Sequence, residues 1–192
     1  MPTKHFALTA AIFEGGLAVV AIALGWLLGQ PPIKTLHLDL YQAALGIAAT
    51  LPPLALFWFC LKCPLRPFQT IARILDEAIV PLFRDCRFTE LAVIAALAGI
   101  GEEMLFRGVI QAGLAQQIGG PRGIWLGLLM AAALFGLLHS ITPTYAVLAG
   151  SIGLYLGWLW LMCGNLLAPI VTHGVYDFLA LLYLVRAKSQ RL

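Results

Sequence analysis

Two adjacent glutamates and an arginine interrupt an apolar stretch in the middle of the chain, in the order Glu102-Glu103-xxx-Arg107. Glu103 and Arg107 are four residues apart, so on a helix they share a face and can form an ion pair. Glu102 points about 100° away and has the apolar Phe106 as its neighbour one turn along. A carboxyl group without a built-in counter-ion can act as a general base or acid. A purely structural role, with the two carboxylates sharing Arg107 and a second partner elsewhere, explains the motif equally well.

Two histidines and an aspartate occur later in the chain at the same four-residue spacing. Phe135 lies one helical turn before His139, and His173 lies one turn before Asp177. The stretch from 123 to 176 contains no Lys, Arg, Asp or Glu, so these imidazoles must find partners on other helices. A single histidine in such a setting is often only a hydrogen-bond partner between helices. Two histidines, two glutamates, an arginine and an aspartate together are harder to explain as packing.

Depth along the helices favours convergence of these groups. At ~1.5 Å per residue, Glu102 and His173 both lie roughly 20 Å from the same end of their helices. His139 is shallower by this count, but the uncharged turn at 140–144 could lie below the membrane surface and line a cavity. Glu14 lies outside the motifs, and we expect it to reach the interface or to find a partner, with a place in the wall of the cavity as the remaining alternative.

The composition requires that the helices carrying these residues lie in a membrane. Of 192 residues, 61% are apolar and 11% are charged, against ~45–50% and ~25% in soluble domains. A membrane span needs about 20 mainly apolar residues. The sequence therefore predicts an all-α fold, a polytopic transmembrane helical bundle of about six spans that forms a single integral-membrane domain over 1–192. The predicted spans are 6–29, 41–62, 89–117, 121–139, 145–163 and 165–186.

The distribution of positive charge predicts the orientation of the bundle. Most of the twelve Lys and Arg residues fall at the N-terminus, between the second and third spans, or in the C-terminal tail. This asymmetry predicts a multi-pass protein of the cell membrane with both termini in the cytoplasm. The net charge of +3 is thereby explained by topology, and we expect no nucleic-acid partner. The apolar run 6–29 is too long for a signal peptide and is expected to be a retained span.

The segment 64–88 has a different pattern. Apolar residues recur at helical spacing from Ile71 to Phe83, with Arg73, Asp76 and Glu77 between them. This pattern predicts an amphipathic helix that lies in the membrane interface. Two roles remain open for it, a plain connector and a route of access for a substrate.

The three motifs together resemble the CPBP family, which includes the CAAX proteases of the Ras-converting type and bacteriocin-processing or immunity-related relatives. The family pattern EExxxR, FxxxH and HxxxN/D corresponds here to Glu102-Glu103-xxx-Arg107, Phe135-xxx-His139 and His173-xxx-Asp177. The resemblance covers about 89–186, which would be the peptidase core. The prenyl endopeptidases of the family carry Asn at the last position, where this chain has Asp177.

The resemblance implies a glutamate-dependent intramembrane endopeptidase that hydrolyses a membrane-anchored protein or peptide, prenylated or not. Glu102 and His139 would activate water, and His173 and Asp177 would help to stabilise the oxyanion. Because an ionised carboxylate cannot donate a hydrogen bond, we expect Asp177 to orient His173 instead. The supporting residues Glu103, Arg107 and Phe135 would hold the geometry.

Two alternatives differ from this hypothesis. In the first, Glu102, His139 and His173 bind zinc with the second carboxylate as base, as in His₂Glu hydrolases. We expect no cofactor, because the HExxH helix of such enzymes is absent and adjacent glutamates cannot both face one ion. In the second, the protein is a non-catalytic membrane scaffold, an immunity-type binding protein or a small transporter, and its polar residues only join helices.

Overall fold

The structure is a computed structural model that describes the backbone of residues 3–189 and the side chains of residues 6–186. Every regular element in this described range is helical, and it contains no strand. The predicted all-α fold is therefore confirmed. Arg191, used above to predict orientation, lies outside the described residues, as do the side chains of Lys4 and Lys188. The α-helices are α1 (Thr3–Leu27), α2 (Leu40–Ala48), α3 (Leu51–Lys62), α4 (Arg66–Ile74), α5 (Val80–Phe83), α6 (Phe88–Glu103), α7 (Ala112–Ile118), α8 (Gly120–Leu138), α9 (Pro143–Cys163) and α10 (Leu167–Ser189).

Five helical segments in the described part are long and apolar enough to cross a membrane, and they coincide with five predicted spans. These segments are Phe6–Leu27, Leu40–Lys62, Gly120–Leu138, Pro143–Cys163 and Leu167–Arg186. The protein is thus a multi-pass membrane protein. The last segment is 50% buried within the protein, against 11% for the first, so α10 lies at the centre of the bundle and α1 at its edge.

The remaining predicted span is a continuous helical run with an irregular middle. The α6 helix begins after Arg87, whose backbone N–H donates to the Glu90 side chain at 2.7 Å. A π-helix, Met104–Gln111, then follows Glu103 and leads into α7. A π-helix is wider than an α-helix and is frequent at functional sites. It changes the direction of the side chains just beyond the two glutamates.

Glycines let α6 approach its neighbours closely. A Cβ atom at Gly99 would lie 2.7 Å from the Ile170 carbonyl oxygen and 2.9 Å from the Gly174 nitrogen, both on α10. A Cβ at Gly101 would collide with the backbone oxygen of Glu14 on α1. The backbone of α6 therefore packs directly against α1 and α10, as small residues allow in membrane helices.

Asn165 starts the last helix, as its side chain type predicts. Its Oδ1 accepts hydrogen bonds from the backbone N–H groups of Leu167 at 3.0 Å and His37 at 3.1 Å. Its Nδ2 donates to the His37 carbonyl at 2.8 Å. The same side chain thus caps α10 and ties the connection after α1 to the bundle.

The amphipathic segment is helical from Arg66 to Phe83, in the order α4, a π-helix (Leu75–Ile79) and α5. Pro81 does not end it, because proline is tolerated in the first turn of α5. Its apolar face, which includes Ile71, Leu75 and Phe83, lines an internal cavity of the protein. The segment therefore forms part of the wall of this cavity.

Candidate active site

A cavity of about 320 Å³ runs from the amphipathic segment to the polar residues in the middle of the bundle. We call it the site cavity. Its lining is mainly apolar, and it includes the five motif residues Glu102, Phe135, His139, His173 and Asp177. Glu102 comes from α6, Phe135 and His139 come from α8 and the residue that follows it, and His173 and Asp177 come from α10. Residues of all three motifs therefore meet at one cavity.

Glu102 lies at the inner end of the site cavity, between the two histidines. Its Oε2 atom is 3.5 Å from Nε2 of His139 and 4.0 Å from Nε2 of His173. The residue is 8% exposed, and Oε2 makes no hydrogen bond to any described residue at normal donor–acceptor distance. The apolar neighbour predicted from the sequence is thus only part of its surroundings, because two imidazoles face the carboxylate from other helices.

His139 is held by the end of its own helix. Its Nδ1 is 2.8 Å from the Phe135 carbonyl oxygen, and its ring stacks on the Phe135 ring with centroids 4.3 Å apart. A carbonyl oxygen can only accept, so Nδ1 carries a hydrogen and donates it. Nε2 is therefore the atom that faces Glu102. His139 directly follows the last residue of α8, and from this position it reaches Glu102.

Glu103 and Arg107 form the predicted ion pair behind the cavity. Arg107 Nη1 donates to Glu103 Oε1 at 2.7 Å, and both side chains are almost completely buried. Nη2 donates to the Gly153 carbonyl on α9 at 2.8 Å, and the guanidinium group lies 4.9 Å from the centre of the Phe135 ring. One arginine therefore connects α6, α8 and α9 next to Glu102.

His173 is positioned by two carboxylates. Its Nδ1 is 2.8 Å from Glu103 Oε1, the oxygen that also accepts from Arg107. Its Nε2 is 3.4 Å from Asp177 Oδ2 and faces Glu102 on the other side. The sequence predicted the contact with Asp177 but not the shorter one with Glu103. The link between Glu103 and His173 depends on the packing of α6 on α10, which no local motif encodes.

Glu14 is a polar residue of the cavity that the motifs do not include. It lies on α1, and its side chain lines the site cavity instead of reaching the interface. Its Oε2 is shielded from solvent and makes no hydrogen bond to any described residue. The only signal for it in the sequence was a carboxylate inside a predicted span, which is costly unless it has a role.

The described residues include no group of three His, Cys, Asp or Glu side chains arranged to hold a metal ion. This applies to Glu102, His139 and His173, the set considered above for zinc. His173 has both ring nitrogens facing carboxylates, with Glu103 at one and Asp177 at the other. Its surroundings are those of a hydrogen-bonded imidazole.

Residues 86–179 match the family model of the Rce1-like type II CAAX prenyl endopeptidases. This match, over just under half of the chain, supports placing the chain in the CAAX protease family. The matched region contains all the motif residues from Glu102 to Asp177, and it leaves out Glu14 and the amphipathic segment. No curated protein and no solved structure is significantly similar to the chain. The match supports, in general terms, an intramembrane endopeptidase of the CAAX type.

Proposed function

We propose that the protein hydrolyses a peptide bond of a membrane-anchored protein or peptide with water activated by Glu102 and His139. The observation that carries the proposal is the pair formed by Glu102 Oε2 and His139 Nε2, 3.5 Å apart at the inner end of the site cavity. The gap is wider than a good hydrogen bond, and a water molecule beside it would contact both groups. A carboxylate and an imidazole in contact with one water are suited to general base and acid catalysis.

The proposed reaction has two steps. In the first, Glu102 takes a proton from water, the water oxygen bonds to the carbonyl carbon of the substrate, and the carbonyl becomes an oxyanion. In the second, the carbon–nitrogen bond breaks while a proton is delivered to the leaving nitrogen through His139. Because Nδ1 of His139 is fixed on the Phe135 carbonyl, Nε2 is the atom free to carry that proton. The products are a carboxylic acid and an amine.

His173 is the proposed donor to the oxyanion. A protonated Nε2 faces the region beside Glu102 and can donate a hydrogen bond to developing negative charge. Glu103 beside Nδ1 and Asp177 beside Nε2 fix the direction of the ring. We therefore assign to Asp177 an orienting role, with Glu103 as a second orienting group. Arg107 and Phe135 keep these groups in place.

The lining of the site cavity supports a substrate with an apolar anchor. The inner faces of α3, α9 and the amphipathic segment contribute mainly aliphatic and aromatic side chains. An acyl or isoprenyl chain could lie along this surface while the peptide reaches Glu102. We include prenylated substrates in the proposal, and we propose the cell membrane as the location, with both termini in the cytoplasm. The one-domain organisation over 1–192, with a core at 89–186, is part of the same proposal.

We also propose that the reaction needs no metal cofactor. The support is the position of His173 Nε2, which lies 3.4 Å from Asp177 Oδ2 and 4.0 Å from Glu102 Oε2, so that it is placed to donate a hydrogen bond instead of giving a lone pair to a metal. Zinc in a His₂Glu site would require both histidines to direct a nitrogen at the ion. Activity that persists in the presence of a strong chelator would support the proposal, and activity restored only by zinc would contradict it.

The test of the proposed function uses the purified full-length protein in lipid vesicles with a library of membrane-anchored peptides, lipidated and unlipidated. Mass spectrometry would identify the cleavage products. We expect the wild type to cleave a subset, and Glu102→Ala and His139→Ala to lower turnover by about 10²- to 10⁴-fold, the contribution typical of general acid–base groups. Glu77→Gln, on the exposed face of the amphipathic segment, is the matched control and should cleave normally.

Folding must be measured in the same samples. We expect both catalytic-site variants to remain folded, as judged by thermal denaturation in detergent. If the wild-type protein leaves the peptide library uncleaved, the non-catalytic scaffold is favoured instead. The same holds if the variants lose activity only in proportion to their loss of stability.

A further inference from the structure

Glu14 is a carboxylate of the site cavity to which the proposed reaction gives no role. It lines the cavity together with Glu102 and Asp177. It comes from α1, outside the region that matches the protease family. The contact between its backbone oxygen and Gly101 places it level with the residue that precedes Glu102. Glu14 therefore lies beside the proposed reaction centre, on a different wall of the cavity.

Glu14 lacks a partner within the part of the protein that the structure describes. Its Oε2 is shielded from solvent and accepts no hydrogen bond. No described Lys, Arg or His side chain lies within ion-pair distance of it. The residue as a whole is only partly buried, and a group that brings a complementary charge can pair with its carboxylate.

The charges around the cavity favour a cation. The lining contains three carboxylates and two histidines, and it contains no Lys or Arg. With the carboxylates ionised, the lining is negative whether the histidines are neutral or charged. The buried pair of Glu103 and Arg107 adds no net charge behind it. A positively charged group is therefore attracted to this cavity, and a negatively charged one is repelled.

We infer that Glu14 forms a subsite that binds a cationic side chain, Lys or Arg, of the substrate close to the scissile bond. The inference rests on the proposed peptidase function. An ammonium or guanidinium group would donate charge-assisted hydrogen bonds to the Glu14 carboxylate. The long apolar stem of such a side chain can lie along the aliphatic lining, as these stems do at membrane interfaces. Glu14 is thus a residue that determines specificity, distinct from the groups that activate water.

The experiment compares pairs of membrane-anchored peptides with the full-length protein in vesicles. Both peptides of a pair have an acetylated N-terminus, and at one position near the cleavage site one carries Lys and the other Nε-acetyl-lysine. The position is moved one residue at a time. The acetylated N-terminus removes the α-amine as an alternative cation, and acetyl-lysine preserves length while it removes the charge. We expect the wild type to prefer Lys at one position by about ten- to hundredfold in kcat/KM.

Variants of Glu14 identify the group responsible. Glu14→Gln should bring the Lys preference close to one, chiefly by lowering kcat/KM for the Lys peptide. Glu14→Lys should prefer a peptide with Glu at the same position. The control Glu77→Gln should keep the full preference. Glu14→Asp keeps the negative charge and should keep part of the Lys preference, which would also support the subsite. This variant provides a second test if Glu14→Gln folds poorly.

Two results would overturn the inference while leaving the proposed function intact. One is equal cleavage of the Lys and acetyl-lysine peptides by the wild type at every position. The other is a folded Glu14→Gln protein that keeps the wild-type preference. Failure of the wild type to cleave any anchored peptide would instead contradict the proposed function, and the inference would fall with it.

Discussion

Replacing Gly99 with alanine should separate α6 from α10 and weaken the site that lies between them. The added Cβ would lie 2.7 Å from the Ile170 carbonyl oxygen and 2.9 Å from the Gly174 nitrogen. Both obstacles are backbone atoms, which a rotamer change cannot move. Since an ordinary contact is about 3.5 Å, the helices must separate locally by roughly 0.7 Å.

The magnitude of the effect follows from the contact between the same two helices. His173 Nδ1 and Glu103 Oε1 are 2.8 Å apart. A separation of that size would stretch the contact to about 3.5 Å, beyond normal hydrogen-bond length. Misplacement of reacting groups by about 1 Å can cost 10²-fold in rate. We therefore expect kcat to fall by about 10- to 100-fold, with a loss of roughly 1–3 kcal/mol in stability from overpacking.

The assay is the turnover of an anchored peptide per folded molecule, with thermal denaturation in detergent measured in parallel. Gly16→Ala is the matched control, because a Cβ at Gly16 on α1 would meet no heavy atom within 4 Å. It should retain turnover within about twofold and lose no stability, since alanine favours helix more than glycine. A Gly99→Ala protein with wild-type kcat and wild-type melting temperature would refute the argument that this close approach sets the site geometry.

Three further predictions concern the roles assigned at the site. Asp177→Asn should retain kcat within about tenfold, because an amide can still accept a hydrogen bond from His173, whereas Asp177→Ala should lose more. The kinetics of both variants with one anchored peptide would measure this. Equal losses of kcat in the two variants would contradict the orienting role. Arg107→Met should lower the free energy of unfolding by about 3–5 kcal/mol, because it leaves Glu103 as a buried charge without its arginine. Thermal denaturation would measure the loss, and an unchanged melting temperature would contradict the prediction. Prolonged treatment with a chelator should leave turnover unchanged, and a loss that added zinc reverses would show metal dependence.

Much of the fold can be predicted from the sequence because each element depends on local properties. Apolar runs of sufficient length define the spans, and five of those predicted coincide with helices that can cross a membrane. Asn165 marks the start of α10 because its side chain can cap a helix locally. The π-helix after Glu103 has no comparable local signal. A Cβ at Gly108 within it would lie 3.1 Å from Leu166, so the segment packs closely against a residue distant in the sequence, which no local pattern shows.

The contacts of the candidate site likewise include some that the sequence predicts and some that it does not. The contact between Glu103 and Arg107 is predictable, because four-residue spacing on one helix brings the two side chains together. The contact between Glu103 and His173 is not, since it depends on how closely α6 and α10 approach at Gly99. The position of Glu14 in the cavity likewise depends on where α1 packs. Pairs within one helix are encoded locally, and pairs between helices require the tertiary structure.

The measurement that tests the central claim most directly is the turnover of an anchored peptide by Glu102→Gln protein in vesicles. Glutamine has nearly the same shape as glutamate but cannot accept the proton from water. If Glu102 is the base, turnover should fall by about 10²- to 10⁴-fold while the protein remains folded. The melting temperature should be unchanged or higher, because active-site charges are often costly to stability. A stable Glu102→Gln protein that cleaves the peptide at close to the wild-type rate would contradict the account.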